Sequence, residues 1–312
     1  MRLFDTYLAV DWSARNGPSP ARPSRDALWV GEGSRSDGDE APRVDTVTYW
    51  RTRWACVEHL RQRLLHHTAL GRRVCVGFDF AFGYPSGFAV AMGLAAAPPW
   101  RGLWAEVASL LVDDDDNRNN RFAVAAALNQ RCGGAASGPL WGCPSGGAGP
   151  HLLPTSPGFP YTVRPGLSLD RLRWTEQRAP GAQPVWKLYG PGSVGGQTLT
   201  GIPAIGRLRA DPTLAPLSRV WPFETGFTDT PLPRQGPAIV YAEIWPSLAP
   251  TRVDDGAIRD AAQVRAMVRW LATTDHVGQL GQWFAPPAGL SPAALAACVL
   301  QEGWILGAGF NA

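Results

Sequence analysis

The first third of the chain alternates between short apolar runs and turn-forming residues. TYLAVDW (6–12), ALWVGEG (27–33) and VDTVTYW (44–50) are rich in β-branched or aromatic residues and are separated by Gly, Pro, Ser and Asp. Such runs predict strands, and consecutive strands with short links predict an antiparallel meander. The period then changes: Val57, Leu60, Leu64 and Leu65 recur at helical spacing in ACVEHLRQRLLHHTAL, which predicts a helix packing one face on that sheet. RVCVGFD (73–79) predicts a fourth strand directly after it.

From about residue 86 to 235 the pattern loosens. WRGLWAEVASLLVDDDDN and NNRFAVAAALNQR predict helices, and CGGAASGPLWGCPSGGAGPHLLPTSPGFP predicts a long loop. A loop of that length suggests a functional cover or an insertion between core elements. Order returns with PVWKLYGPGSVGGQ, with RVWPFETGF, read as an apolar strand ending at Glu224, with AIVYAEIWPS, suited to a central strand, and with Val264, Met267, Val268 and Leu271, which define a helix face. SPAALAACVLQEGWILGAG predicts a closing helix and an apolar tail. These patterns divide the chain into an α/β core over 1–90 and 235–312 and an α-rich insertion over 91–234.

Four acids stand where apolar runs end or a helix begins: Asp11 closing YLAVD, Asp79 closing VCVGFD, Glu243 in IVYAEIWP and Asp260 opening RDAAQVRAMVRWLA. A carboxylate at the end of a buried strand is costly unless it is paired or bound to a cation, so the set suggests one shared site for Mg2+ or Mn2+. Each also has a plainer reading, as a turn acid or, for Asp260, a helix cap. NRNNR places Arg118 and Arg121 beside amides, where guanidinium forks could grip a phosphate ester or simply form surface ion pairs. GPGSVGG, after the strand-like VWKLY and near Lys187, could cradle a phosphate with Gly192 and its neighbours or be a tight structural turn. It lacks the context of a dinucleotide-binding fingerprint. Glu224 in WPFETG is a further ligand candidate or a turn acid, and the DDDD run at 113–116 could hold a cation or be solvated. His59, His66 and His67 are read as solvent-facing.

Composition narrows the class. Of 312 residues, 45% are hydrophobic and 18% charged, as in a soluble globular protein; 14 Trp argue against disorder despite 35 Gly and 29 Pro. The net charge of +3 neither demands nor excludes nucleic acid. Five scattered cysteines without a CxxC pair argue against a disulfide framework or zinc ribbon, with Cys132 and Cys143 as the one pair that flanks a Gly-rich loop. Asp5 and Asp11 interrupt the apolar N-terminus, so neither a signal peptide nor a membrane span is expected and the cytoplasm is the default location.

AVDWS, VGFDFAFGYP, VYAEIWPS and the terminal EGWILG resemble the motifs of a family of bacterial proteins with a ribonuclease-H-like fold. The β-β-β-α-β opening, with an acid closing the first and fourth strands, has the same order. The resemblance implies a mixed five-stranded sheet flanked by helices and points to Asp11, Asp79 and Glu243 as the site. Where the family's closing helix carries an acid this chain has Ser291, so Asp260 is a substitute inferred from its own position. DDNRNNRFAVAAALN, LWGCP, KLYGPGSVGGQTLTGIP and WPFETG resemble a proteobacterial subgroup labelled for molybdopterin guanine dinucleotide synthesis. Two functions are therefore expected. The first is a metal-dependent phosphoesterase or nuclease acting on nucleic acid or a phosphorylated small molecule, with Asp11, Asp79 and Glu243 as ligands, Asp260 completing the site, and Arg118, Arg121, Lys187 and Gly192 on the substrate. The second is a non-catalytic accessory or ligand-binding protein, working with an enzyme of pterin-cofactor biosynthesis.

Overall fold

The computed structural model describes residues 2–34, 43–94, 98–134, 137–233, 235–252 and 255–310. The strand-like runs form β1 (Thr6–Asp11), β2 (Leu28–Ser34) and β3 (Arg43–Trp50), followed by α1 (Arg53–Ala69) and β4 (Arg73–Phe78). The middle of the chain supplies α2 (Phe88–Ala91), α3 (Pro99–Leu110), α4 (Arg121–Cys132) and a hairpin of β5 (Tyr161–Arg164) and β6 (Leu167–Leu169). After it come α5 (Gly195–Ala210) and β7 (Ser218–Val220). The chain closes through β8 (Ala238–Glu243), α6 (Arg259–His276), α7 (Leu280–Phe284) and α8 (Pro292–Ala297), the last running into a π-helical turn at Cys298–Glu302.

The main sheet has the order β3-β2-β1-β4-β8-β7. β1–β2 and β2–β3 are antiparallel, whereas β1–β4, β4–β8 and β8–β7 are parallel. The protein is thus α/β with a mixed sheet of six strands rather than the expected five, because β7 adds an edge from within the 91–234 stretch. That stretch is less separate than its composition suggests. Ile202, Ile205 and Leu208 of α5 and Trp100 and Trp104 of α3 join Leu8, Val10, Val76 and Tyr241 of the sheet in one apolar layer. The part that does form its own cluster is built from α2, α4, the hairpin and the segment around Trp186.

Strand alternation assigns the two faces. Leu8 and Val10 of β1 face α1 and α5, while Tyr7 and Ala9 face α6 and the C-terminal tail. α6 crosses β2 closely because Gly31 and Gly33 have no side chains: a Cβ at Gly33 would lie 2.5 Å from Val268 Cγ1, and one at Gly31 2.9 Å from the Val264 carbonyl oxygen. Glu32, between them, points to the other face and accepts from Arg63 at 2.7 and 2.8 Å and meets His67 Nε2 at 3.0 Å. His67 is buried in that contact and His59 stacks on Trp50, so of the three histidines read as solvent-facing only His66 is exposed. A hydrogen-bonding contact with a buried acid and stacking on an indole, both invisible to helical periodicity, override the solvent face.

The far end of α6 anchors the N-terminus. Asp275, wholly buried, accepts from the N–H groups of Leu3 and Phe4, at 2.8 Å in each case, and from the Tyr7 hydroxyl at 2.6 Å. Asp275→Ala leaves those donors unsatisfied and is expected to cost about 3 kcal/mol by urea unfolding, several times a typical surface change. A loss below about 1 kcal/mol would show that the N-terminal segment is not held this way. Among the described residues no helix is long and apolar enough to cross a membrane, and all five cysteines are buried free thiols, so Cys132 and Cys143 do not pair.

Candidate functional site

Asp11 and Asp79 meet because β1 and β4 are adjacent and parallel. Val10 registers with Phe78, the Asp79 N–H donates to the Val10 carbonyl at 3.2 Å, and the Trp12 N–H donates to Asp79 Oδ1 at 2.7 Å. The two carboxyl groups lie within hydrogen-bonding reach of each other. Burial first, and then Asp79, Asp260 and Asp26, raise Asp11 well above the ordinary carboxylate range; Asp79 is pushed up to about 7 by burial and the Asp260 charge, against the lowering bonds from the Trp12 N–H and from Asp11. Asp11 follows Tyr7 and Ala9 on the α6 side of the sheet, which brings it toward the first turn of α6 and Asp260. Asp260 adds its charge to both members of the pair, and burial raises it too. It does not cap its own helix; its Oδ2 accepts from the Asp26 N–H at 2.7 Å and fixes the loop before β2.

Glu243 ends the next parallel strand but belongs elsewhere. It shares its side of β8 with Ile239 and Tyr241, which face α5, and it is buried. Arg173 grips it bidentately, Nη1 to Oε2 at 2.8 Å and Nη2 to Oε1 at 2.6 Å, and the Phe82 N–H adds a bond at 3.0 Å. Arg173 also donates to Glu176 Oε1 at 2.9 Å and to the Glu302 carbonyl at 2.8 Å. The Glu302 carboxylate in turn takes the Trp174 N–H, at 2.8 Å, and the Ser86 hydroxyl, at 2.7 Å. The expected four-carboxylate cluster is therefore not what the chain builds: Asp11 and Asp79 pair within electrostatic reach of Asp260, and Glu243 is neutralised by an arginine. Among the described residues no group of three or more His, Cys, Asp or Glu is arranged to hold a metal ion.

Two cavities flank this boundary. One of about 640 Å³ is lined by Asp11, Asp26, Asp260, Arg121, Gly192 and Gln197. The other, about 330 Å³, is lined by Asp79, Arg173, Gln183, Glu243 and Trp245. Gly192, Ser193, Gln197 and Arg259 border both, so GPGSVGG is the wall between them. VWKLY is not a strand; only Lys187 forms a bridge, to Trp141, and the glycines run from a turn into α5. Gly192, at φ +70°, needs the left-handed region that glycine favours. Gln197 Nε2 donates to the Trp12 carbonyl and ties α5 to the strand end after Asp11.

The basic candidates separate. Arg118 is exposed and pairs with Asp116 at 3.1 Å and Asp114 at 3.7 Å. Lys187 donates to the Pro191 carbonyl at 2.5 Å and braces the turn. Arg121 lines the cavity of about 640 Å³. Sequence reasoning missed Arg53, whose buried guanidinium holds the carbonyls of Ser13 at 2.9 Å, Arg15 at 3.0 Å and Asn117 at 2.8 Å, and ion-pairs with Asp113. It thereby fixes the loop that follows Asp11. It missed Arg173 as well, although Arg173 and Glu176 stand at i, i+3 in RWTE. The DDDD run thus supplies a buried partner, Asp113, and two surface ones, and Glu224 is held by Arg101 at 2.9 Å and Arg209 at 2.6 Å.

The raised aspartate pair fixes a pH dependence. An acid whose folded-state value exceeds its unfolded one keeps its proton in the native state after the unfolded chain has lost it. Stability is then fully present below the ordinary value of 3.8 and is lost as pH rises through about 7. In a chelating buffer the protein is expected to melt at a lower temperature at pH 8 than at pH 5, and Asp79→Asn to flatten that slope. An equal slope in the variant would rule out the pair as its source.

No protein-family model matches the chain, no curated protein matches it, and no solved structure matches its fold.

Proposed function

We propose that this chain is a divalent-cation-dependent phosphoester hydrolase of ribonuclease-H-like architecture, acting on a nucleotide or nucleic-acid phosphoester. The observation that carries this reading is the Asp11–Asp79 pair at the ends of adjacent parallel strands, Asp11 lining the cavity of about 640 Å³ and Asp79 the one of about 330 Å³. The sheet order supports the architecture: an antiparallel β1–β2–β3 meander continued by parallel β4 and β8.

The residues present fit a cation in a limited sense. Two carboxyls that burial and neighbouring aspartate charge disfavour as anions are suited to share a positive charge. Mg2+ usually keeps several waters and takes one or two carboxylates plus the substrate's phosphate oxygens, so the absence of a third protein ligand among the described residues is compatible with it. Bound there, the cation would polarise a phosphoryl oxygen and lower the pKa of water. Asp11 and Asp79 would hold it, and Asp260, whose charge reaches both and which lines the same cavity as Asp11, would accept the proton of the attacking water. Glu243 and Arg173 have a positioning role, joining β8 to the segment around Arg173 and to Glu302.

The test is cleavage of a panel of phosphomonoesters and phosphodiesters with Mg2+ or Mn2+, with Asp11→Asn as control. Binding of nucleotides or phosphorylated pterins without turnover, and undiminished in the Asp11→Asn/Asp79→Asn variant, would instead support a binding role in cofactor biosynthesis.

A further inference from the structure

We propose that Arg121 and the first turn of α5 form a subsite for a phosphate group, on the wall of the cavity that also holds Asp11 and Asp260. Arg121 is 8% exposed. Its Nη1 donates to Asn119 Oδ1 at 2.9 Å and its guanidinium lies 4.3 Å from the Phe122 ring centroid. Its Nε is buried without a hydrogen-bond partner, and it forms no ion pair among the described residues. The carboxylate that would naturally serve it, Asp113, is engaged by Arg53.

That Nε lies against the start of α5. A Cβ at Gly196 would sit 3.4 Å from it, in ordinary contact, and 2.9 Å from the Leu188 carbonyl oxygen, so the glycine admits that carbonyl while the guanidinium packs directly on the first turn of the helix. The Gly195 N–H is already bonded to the Lys187 carbonyl at 2.8 Å. Helix geometry leaves the N–H groups of Gly196 and Gln197 without intrahelical acceptors. The positive end of the helix dipole and a buried guanidinium therefore address the same space, as in sites that hold phosphate oxygens. Burial, and then Arg53, hold Arg121 down at about 10, so its charged form gains from a neighbouring anion. A substrate spanning this subsite and the aspartates would present one phosphate to Arg121 and a phosphoester to the carboxyl pair.

The subsite stands independently of the hydrolytic reading, and inorganic phosphate tests it in the full chain with a chelator present. Phosphate is expected to raise the wild-type melting temperature progressively, beyond the effect of chloride at matched ionic strength. In Arg121→Gln the fitted affinity falls about tenfold or more, and Arg121→Lys, which keeps the charge but not the fork, falls between. The Asp11→Asn/Asp79→Asn variant retains the response. No phosphate-specific rise in the wild type, or an equal rise in Arg121→Gln, overturns the proposal. Should Arg121→Gln fail to fold, an undiminished response in Arg121→Lys overturns it. Phosphate binding that survives when no phosphoester is cleaved leaves the subsite standing and removes the hydrolytic reading.

Discussion

Replacing Arg173 with methionine is expected to destabilise the protein by about 3–5 kcal/mol, the cost of breaking a buried ion pair by removing one partner. The magnitude follows from what Arg173 leaves behind. Glu243 and Glu176 are both buried and both bonded to it, and the Glu302 carbonyl loses a donor as well. Burial alone disfavours the charged form of Glu176, and Arg173 is the counterweight. The loss is read as a lower urea midpoint at unchanged slope, since the exposed area on unfolding stays the same. A second substitution separates charge from packing: Arg173→Met combined with Glu243→Gln is expected to recover part of the loss, because one stranded charge is gone. A double variant as unstable as the sum of its parts would mean that the Arg173 side chain acts through its volume.

The elements that alternation or helical spacing could reveal were legible, and so was the pairing of Asp11 with Asp79. Each closes an apolar run of the same kind, and adjacent parallel strands bring such ends together. The part that was not legible has three physical sources. Gly201 and Pro203 argue against a helix by propensity, yet α5 forms because Leu199, Ile202, Ile205 and Leu208 are buried. A Cβ at Gly201 would strike the Phe80 ring at 2.3 Å, a close approach that only tertiary structure discloses. RVWPFETGF reads as an apolar strand running to Glu224, yet β7 pairs only over Ser218–Val220, because pairing with β8 stops there and the apolar residues that follow form a turn, which their pattern does not show. Glu243 misled because position along a strand does not tell which face a side chain takes or which distant arginine awaits it. Its partner stands 70 residues away, in a stretch without regular pattern.

Asp11→Asn is expected to lower cleavage at least about a thousandfold, with the fold intact. A cation that neutralises developing phosphoryl charge contributes several kcal/mol to the barrier, and about 4 kcal/mol corresponds to three factors of ten. Asparagine has the shape of a protonated aspartate, the form that burial and Asp79 favour at this position. The variant should therefore melt no lower than the wild type in chelator at pH 8, where the wild type carries the repulsion. Added Mg2+ or Mn2+ should reverse the order: the wild type gains melting temperature with metal concentration, as any ligand of the native state requires, and the variant does not. Loss of activity with loss of fold would point to a structural role for Asp11. A variant that cleaves as fast as the wild type, or gains as much from metal, would sink the hydrolytic reading, because that reading places the cation on Asp11 and Asp79.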